Sequence, residues 1–171
     1  MNRITTIECA PRPGRRLFLA VGLLLASAVA HAAEPFALGG HLLGERFERV
    51  LDDPAFDCDS ASACFLYAAC VYRGDRPRAL ADIPLEDFML YFTGERLAGA
   101  SGSFETGYFD AVLHALESRY GPALAESANG SNTVLVWRQR NQLLRLERHA
   151  RPGRSSVILA ERNFLSELLG D

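Results

Sequence analysis

A hydroxyl, an imidazole and a carboxylate that meet in space can open an ester, so the chemistry of this chain is sought first among its serines and histidines. Beyond residue 32 the histidines are His41, His114 and His149. His114 falls on the polar face of a predicted helix, with Glu117 close to one turn on. Gly99-Ala100-Ser101-Gly102-Ser103 is the serine-rich stretch, but it departs from Gly-x-Ser-x-Gly. It also lies in a predicted strand rather than at a strand-to-helix elbow, where a nucleophilic serine is presented. A small hydrolase centred on His114 and Ser101 is the catalytic alternative this leaves. A solvated helix histidine and an ordinary strand serine are the plainer reading.

Much chemistry is excluded by composition. All 18 basic residues are Arg, so there is no Schiff-base lysine, no Ser-x-x-Lys nucleophile and no phosphate-loop lysine. Asp52, Asp53, Asp57 and Asp59 cluster beside Cys58, but lack the spacing, the Gly and the Glu of a calcium loop. No His stands at finger-like spacing from the cysteines. The residues thus name no catalytic group, no cofactor and no metal site.

Cys58, Cys64 and Cys70 are spaced six apart. If residues 64–73 form one strand, Cys64 and Cys70 share a face but stand about 20 Å apart, beyond any bridge. Cys58 precedes that strand across a short loop. Cys58–Cys64 is therefore the expected disulfide, worth about 2–2.5 kcal/mol in the chain-entropy picture. Cys58–Cys70 is the second choice.

Charge is unevenly spread. Residues 33–131 carry 7 Arg against 16 Asp plus Glu, net −9; residues 134–162 carry 7 Arg against 2 acids, net +5. The balance is too acidic for a general nucleic-acid binder. Arg138 and Arg145, on neighbouring predicted strands with outward parity, are the candidate partner-binding residues; Glu147 and other acids are their alternative partners. Trp137 reads as core.

The elements that must position these residues follow from periodicity. Residues 44–51 read as a short amphipathic helix and 64–73 as a strand. Residues 74–84 read as a charged loop. Leu85 to Thr93 alternates, with Phe88, Leu90 and Phe92 on one side and Asp87, Met89 and Tyr91 on the other; Leu97 to Phe104 returns as the second half of a hairpin. Its small residues leave room for another element to pack closely. Residues 107–120 form the clearest helix, with Thr106 as N-cap and Gly121-Pro122 as its end. Strands at 133–138, 142–149 and 155–161 form a meander, and 163–169 a final short helix. Short connections force antiparallel pairing. The expected fold is α+β: a single antiparallel sheet of about five to six strands, with one long and one or two short helices packed on it.

The first thirty-two residues read as an address. Arg3, Arg12, Arg15 and Arg16 precede the uncharged apolar run at 17–30, and Ala30-His31-Ala32 is a small-x-small cleavage site. That is the layout of a secretory signal peptide, 1–32, ahead of a single domain, 33–171. The apolar run is short for a membrane span, so no transmembrane segment is expected after cleavage. Arg15-Arg16-Leu17-Phe18-Leu19 resembles the twin-arginine export signal, whose substrates cross the membrane folded. The destination expected is the periplasm, with secretion into the medium second.

Two segments carry a resemblance of layout. Gly39-Gly40-His41-Leu42-Leu43-Gly44, leading into the first helix, is similar to the glycine-led opening of SmpA/OmlA-like envelope domains and the related β-lactamase-inhibitor-like fold. Phe109-Asp110-x-Val112-Leu113-x-x-Leu116, running to Arg119-Tyr120-Gly121-Pro122, resembles the helix ending in Tyr-Gly-x-Pro of many small periplasmic proteins. The resemblance implies binding, assembly or inhibition rather than catalysis. The lipidated Cys of the lipoprotein members is missing here, which speaks against an outer-membrane assembly role.

The reading is a non-catalytic, disulfide-containing exported protein that binds another envelope protein or an anionic envelope component. The alternatives are the small His114/Ser101 hydrolase and a carrier of a small ligand or cofactor, the latter prompted by the twin-arginine resemblance. Oligomeric state is not written in the sequence.

Overall fold

The computed structural model describes residues 34–59, 68–129, 132–149 and 153–164. The chain opens with a tight ribbon, β1 (Ala37–Leu38) and β2 (His41–Leu42). Leu38 pairs with His41 across Gly39 and Gly40, whose φ values of 59° and 89° are those a two-residue hairpin turn demands. A Cβ on Gly39 would lie 2.5 Å from the Phe88 ring, so this glycine also lets the ribbon lie down on the sheet. α1 (Phe47–Leu51) then buries Phe47 and Val50.

The next strands are β3 (Phe56–Cys58), β4 (Ala68–Tyr72), the small ribbon β5 (Ala79–Leu80) and β6 (Ile83–Pro84), β7 (Glu86–Thr93) and β8 (Arg96–Glu105). A 3₁₀ turn at Thr106–Tyr108 leads into α2 (Phe109–Tyr120). Then come β9 (Leu124–Asn129), β10 (Asn132–Gln139), β11 (Gln142–Arg148) and β12 (Arg154–Glu161). α2 buries Phe109, Val112 and Leu116 and stops at Gly121, which has φ 85°. The Gly121 carbonyl accepts the Trp137 indole N–H at 2.8 Å, so Trp137 is a core residue with its polar edge satisfied. Thr106 does not cap α2 with its side chain; its hydroxyl accepts from Ser155 at 3.1 Å instead.

Eight strands form one sheet in the order β3-β4-β7-β8-β12-β11-β10-β9. Every pairing in it is antiparallel. It is two four-stranded meanders side by side: the chain climbs from β3 to β8, crosses through α2 to the far edge at β9, and returns until β12 closes against β8. The expected α+β sheet of five to six strands with a long helix is thereby corrected to a mainly β architecture. Within this sheet β3 and β9 are the strands sequence reading lacked. Both are edges, and Phe56-Asp57-Cys58 and Leu124-Ala125-Glu126-Ser127-Ala128-Asn129 need no run of alternating apolar residues because they serve one neighbour only. The predicted loop at 74–84 contains the β5–β6 ribbon, turned by Ala81 and Asp82 at φ 51° and 63°.

One sheet face carries the main core. Phe88, Leu90, Phe92, Leu97, Phe104, Leu144, Leu146, Val157 and Leu159 meet Leu38, Phe47 and Val50 from the N-terminal elements and Phe109, Val112 and Leu116 from α2. The other face has smaller clusters. Phe164, from a helical turn at 162–164, packs with Ala98, Ala160, Tyr91 and Ile158. It lies over Gly99, where a Cβ would come within 2.8 Å of its ring. Val134, Val136 and Leu143 form a second cluster.

Candidate functional site

The second sheet face gathers the polar chemistry. Strand register decides what meets: Glu147 lies opposite Ser156 and Arg145 opposite Ile158, while Ser156 lies opposite Ser103 on its other side. Their neighbours Leu144, Leu146, Val157 and Phe104 point into the main core, so alternation turns Arg145, Glu147, Ser156 and Ser103 outward. Arg145 donates to Glu147 Oε2 at 3.1 Å. Glu147 Oε1 lies 3.6 Å from His149 Nδ1, and His149 Nε2 is hydrogen-bonded to Ser156 Oγ at 3.0 Å. The Glu147 side chain is 17% exposed and that of His149 41%, so the carboxylate is shielded and the imidazole is open to solvent.

The same face continues through Arg154, which donates to Ser103 Oγ at 3.0 Å and pairs with Glu86 and Asp87. Ser103 in turn donates to Asp87 at 3.0 Å. A bulge makes this grouping possible. Pairing of β7 with β8 shifts register between Glu86 and Met89, and Asp87 takes φ 49°, re-aiming two successive carboxylates toward one guanidinium. Further along the face, Tyr91 Oη and Ser101 Oγ lie 3.1 Å apart.

The predicted site residues fall as follows. Arg138 pairs in register with Leu143, and Arg145 with Val136 two positions back; the two arginines therefore share the second face as diagonal neighbours. Ser101 and His114 do not meet. Ser101 sits on the second face against Tyr91, whereas His114 is exposed on α2, whose buried residues belong to the main core on the other face. The Ser101–His114 arrangement is thus ruled out by the intervening sheet.

The expected Cys58–Cys64 disulfide is also corrected: Cys58 is bonded to Cys70. β3 lies alongside β4 with Cys58 directly across from Cys70, and their Cα atoms are 3.9 Å apart. Placing Cys58 in a loop hid this, because a strand partner brings residues 12 apart in sequence together. Cys64 lies outside the described residues.

The His149–Ser156 contact was missed. Its signal was present in the predicted strands: Glu147 and His149 are two apart and share a face, and only the register of β11 against β12 was lacking.

Two further groupings are spoken for. Arg78 lies 4.8 Å over the Tyr72 ring and 5.4 Å over that of Phe56, and pairs with Asp53 at 3.2 Å. Asp53, once a candidate calcium ligand, also accepts the Ala55 N–H at 2.9 Å. At the chain's described start, Arg119 Nε donates to Glu34 at 2.9 Å. That hydrogen bond holds the Glu34 carboxyl below its ordinary value and raises the guanidinium's. It ties the N-terminal segment to the last turn of α2.

No protein family, curated protein or solved structure matches the chain. No helix among the described residues is long and apolar enough to cross a membrane.

Proposed function

We propose that the chain is an exported protein of the bacterial cell envelope, held in the periplasm, that acts by binding a protein partner with the second face of its sheet. The observation that carries this is the shared placement of Arg138 and Arg145 on that face, diagonal to each other beside Val136 and Leu143. Val136 and Leu143 are themselves buried, so what the face offers a partner is the pair of guanidinium groups, and Arg is enriched where proteins meet. The signal-like leader and the disulfide support export, since such bonds persist in oxidising compartments.

Of the two partner classes the sequence left open, the protein is favoured over an anionic polymer. Glu147 neutralises Arg145, and Glu86 and Asp87 neutralise Arg154. Interspersed carboxylates would repel a polyanion yet suit a protein surface of matching mixed charge. Reversing both charges, Arg138→Glu with Arg145→Glu, is expected to weaken partner binding at least tenfold, about 1.4 kcal/mol or more, as measured by isothermal titration of the purified pair. Unchanged affinity would end this reading of the face.

A further inference from the structure

We infer that Ser156 is an activated nucleophile, with His149 as its base, reactive toward small activated carboxylic esters reached from solvent. The geometry is that of a serine relay. Ser156 Oγ and His149 Nε2 are 3.0 Å apart, inside the range for proton transfer between a hydroxyl and its base. His149 Nδ1 faces Glu147 Oε1 at 3.6 Å, and the other carboxylate oxygen is held by Arg145 at 3.1 Å. Glu147 is thus a positioning residue of electrostatic kind: beyond hydrogen-bond reach at 3.6 Å, its charge still favours the imidazole orientation in which Nε2 addresses the serine. A carboxylate only 17% exposed acts more strongly on the imidazole than one in open water, and Ser156 itself is only half-buried.

Among the described residues the charged groups nearest this pair in the sheet are Glu147 and Arg145 on β11, and beyond them Arg154 on β12 with Glu86 and Asp87 on β7. Arg154 bonds Ser103, the ladder partner of Ser156, but its charge is taken up by Glu86 and Asp87, so the reaction asked of the pair is limited to activated esters with good leaving groups.

The step balances with water as the only co-reactant. Ser156 Oγ bonds to the ester carbonyl carbon, and its proton passes to His149 Nε2. The ester C–O bond breaks, and the departing alkoxide takes that proton. Water then attacks the acyl-serine, its proton again received by His149, and the serine hydroxyl is restored. One acid and one alcohol leave per ester and water consumed. This activity shares Arg145 with the binding reading, but Ser156 and His149 take no part in that reading, so Ser156→Ala and His149→Asn test the activity alone.

The test uses the purified exported chain with a fluorophosphonate probe and with p-nitrophenyl acetate. The probe is expected on the peptide that contains Ser156. Ester turnover is expected to fall about 100-fold in Ser156→Ala and in His149→Asn. Ser156→Cys is expected to retain acylation, with the acetyl group on the new thiol. Glu147→Ala is expected to lower kcat while leaving KM unchanged, which a merely structural loss would not do. Probe spread over other serines, or turnover unaltered in Ser156→Ala or His149→Asn, would overturn the inference.

Discussion

Gly39 has room for a hydrogen and nothing larger. Its φ of 59° and the Phe88 ring 2.5 Å from a built Cβ both oppose a side chain. Gly39→Ala is therefore expected to cost about 1–3 kcal/mol, read as a lower urea midpoint with unchanged m-value. At this scale some features are legible from sequence and others are not. Parity alone brings Arg138 and Arg145 to one face, because strand side chains alternate without regard to the rest of the fold. The pairing of Cys58 with Cys70 and the contact of His149 with Ser156 both depend on strand register. Register is set by partners distant in sequence, and no spacing rule along one strand contains it.

Among elements, the edges carry the instructive cases. β3 is three residues long and pairs only with β4, so the Cys58–Cys70 bond fastens an edge that its own ladder holds weakly. Closing a loop of 12 residues contributes about 3 kcal/mol in the chain-entropy picture. Cys58→Ser with Cys70→Ser is expected to lose about that much in a urea melt, and peptide mapping of the parent should show Cys58 linked to Cys70 with Cys64 open to alkylation. The N-terminal ribbon is fastened differently, through Glu34 to Arg119 on α2. Because that contact lowers the Glu34 carboxyl below its ordinary value, its stabilisation is complete above the ordinary glutamate range. It is lost as pH falls through the lowered value in the folded chain. Hydrogen exchange at Phe36–Leu38 should accordingly quicken in that acid window, and Glu34→Gln should show the quick exchange already at neutral pH. The alternating β7–β8 pair and the amphipathic α2 were readable from periodicity, since each buries one face in the main core. β9, with Glu126, Ser127 and Asn129 among its residues, was not, because an edge strand needs little apolar surface to be held.

For the whole molecule, the sheet divides the chemistry. α1, α2 and the β1–β2 ribbon lie with the main core on one face; Arg145, Glu147, His149 and Ser156 connect on the other, where Arg154 forms a separate group with Ser103, Glu86 and Asp87. His114 on α2 and Arg138 on the second face are thus natural opposites for mapping the surface. A photo-crosslinking side chain placed in turn at Arg138 and at His114, in cells exporting the full chain, tests the binding account most directly. The account predicts one discrete protein adduct from position 138, absent when Arg145→Glu is added, and none from position 114. Adducts of the same mass from both positions, or an adduct from 114 alone, would contradict it.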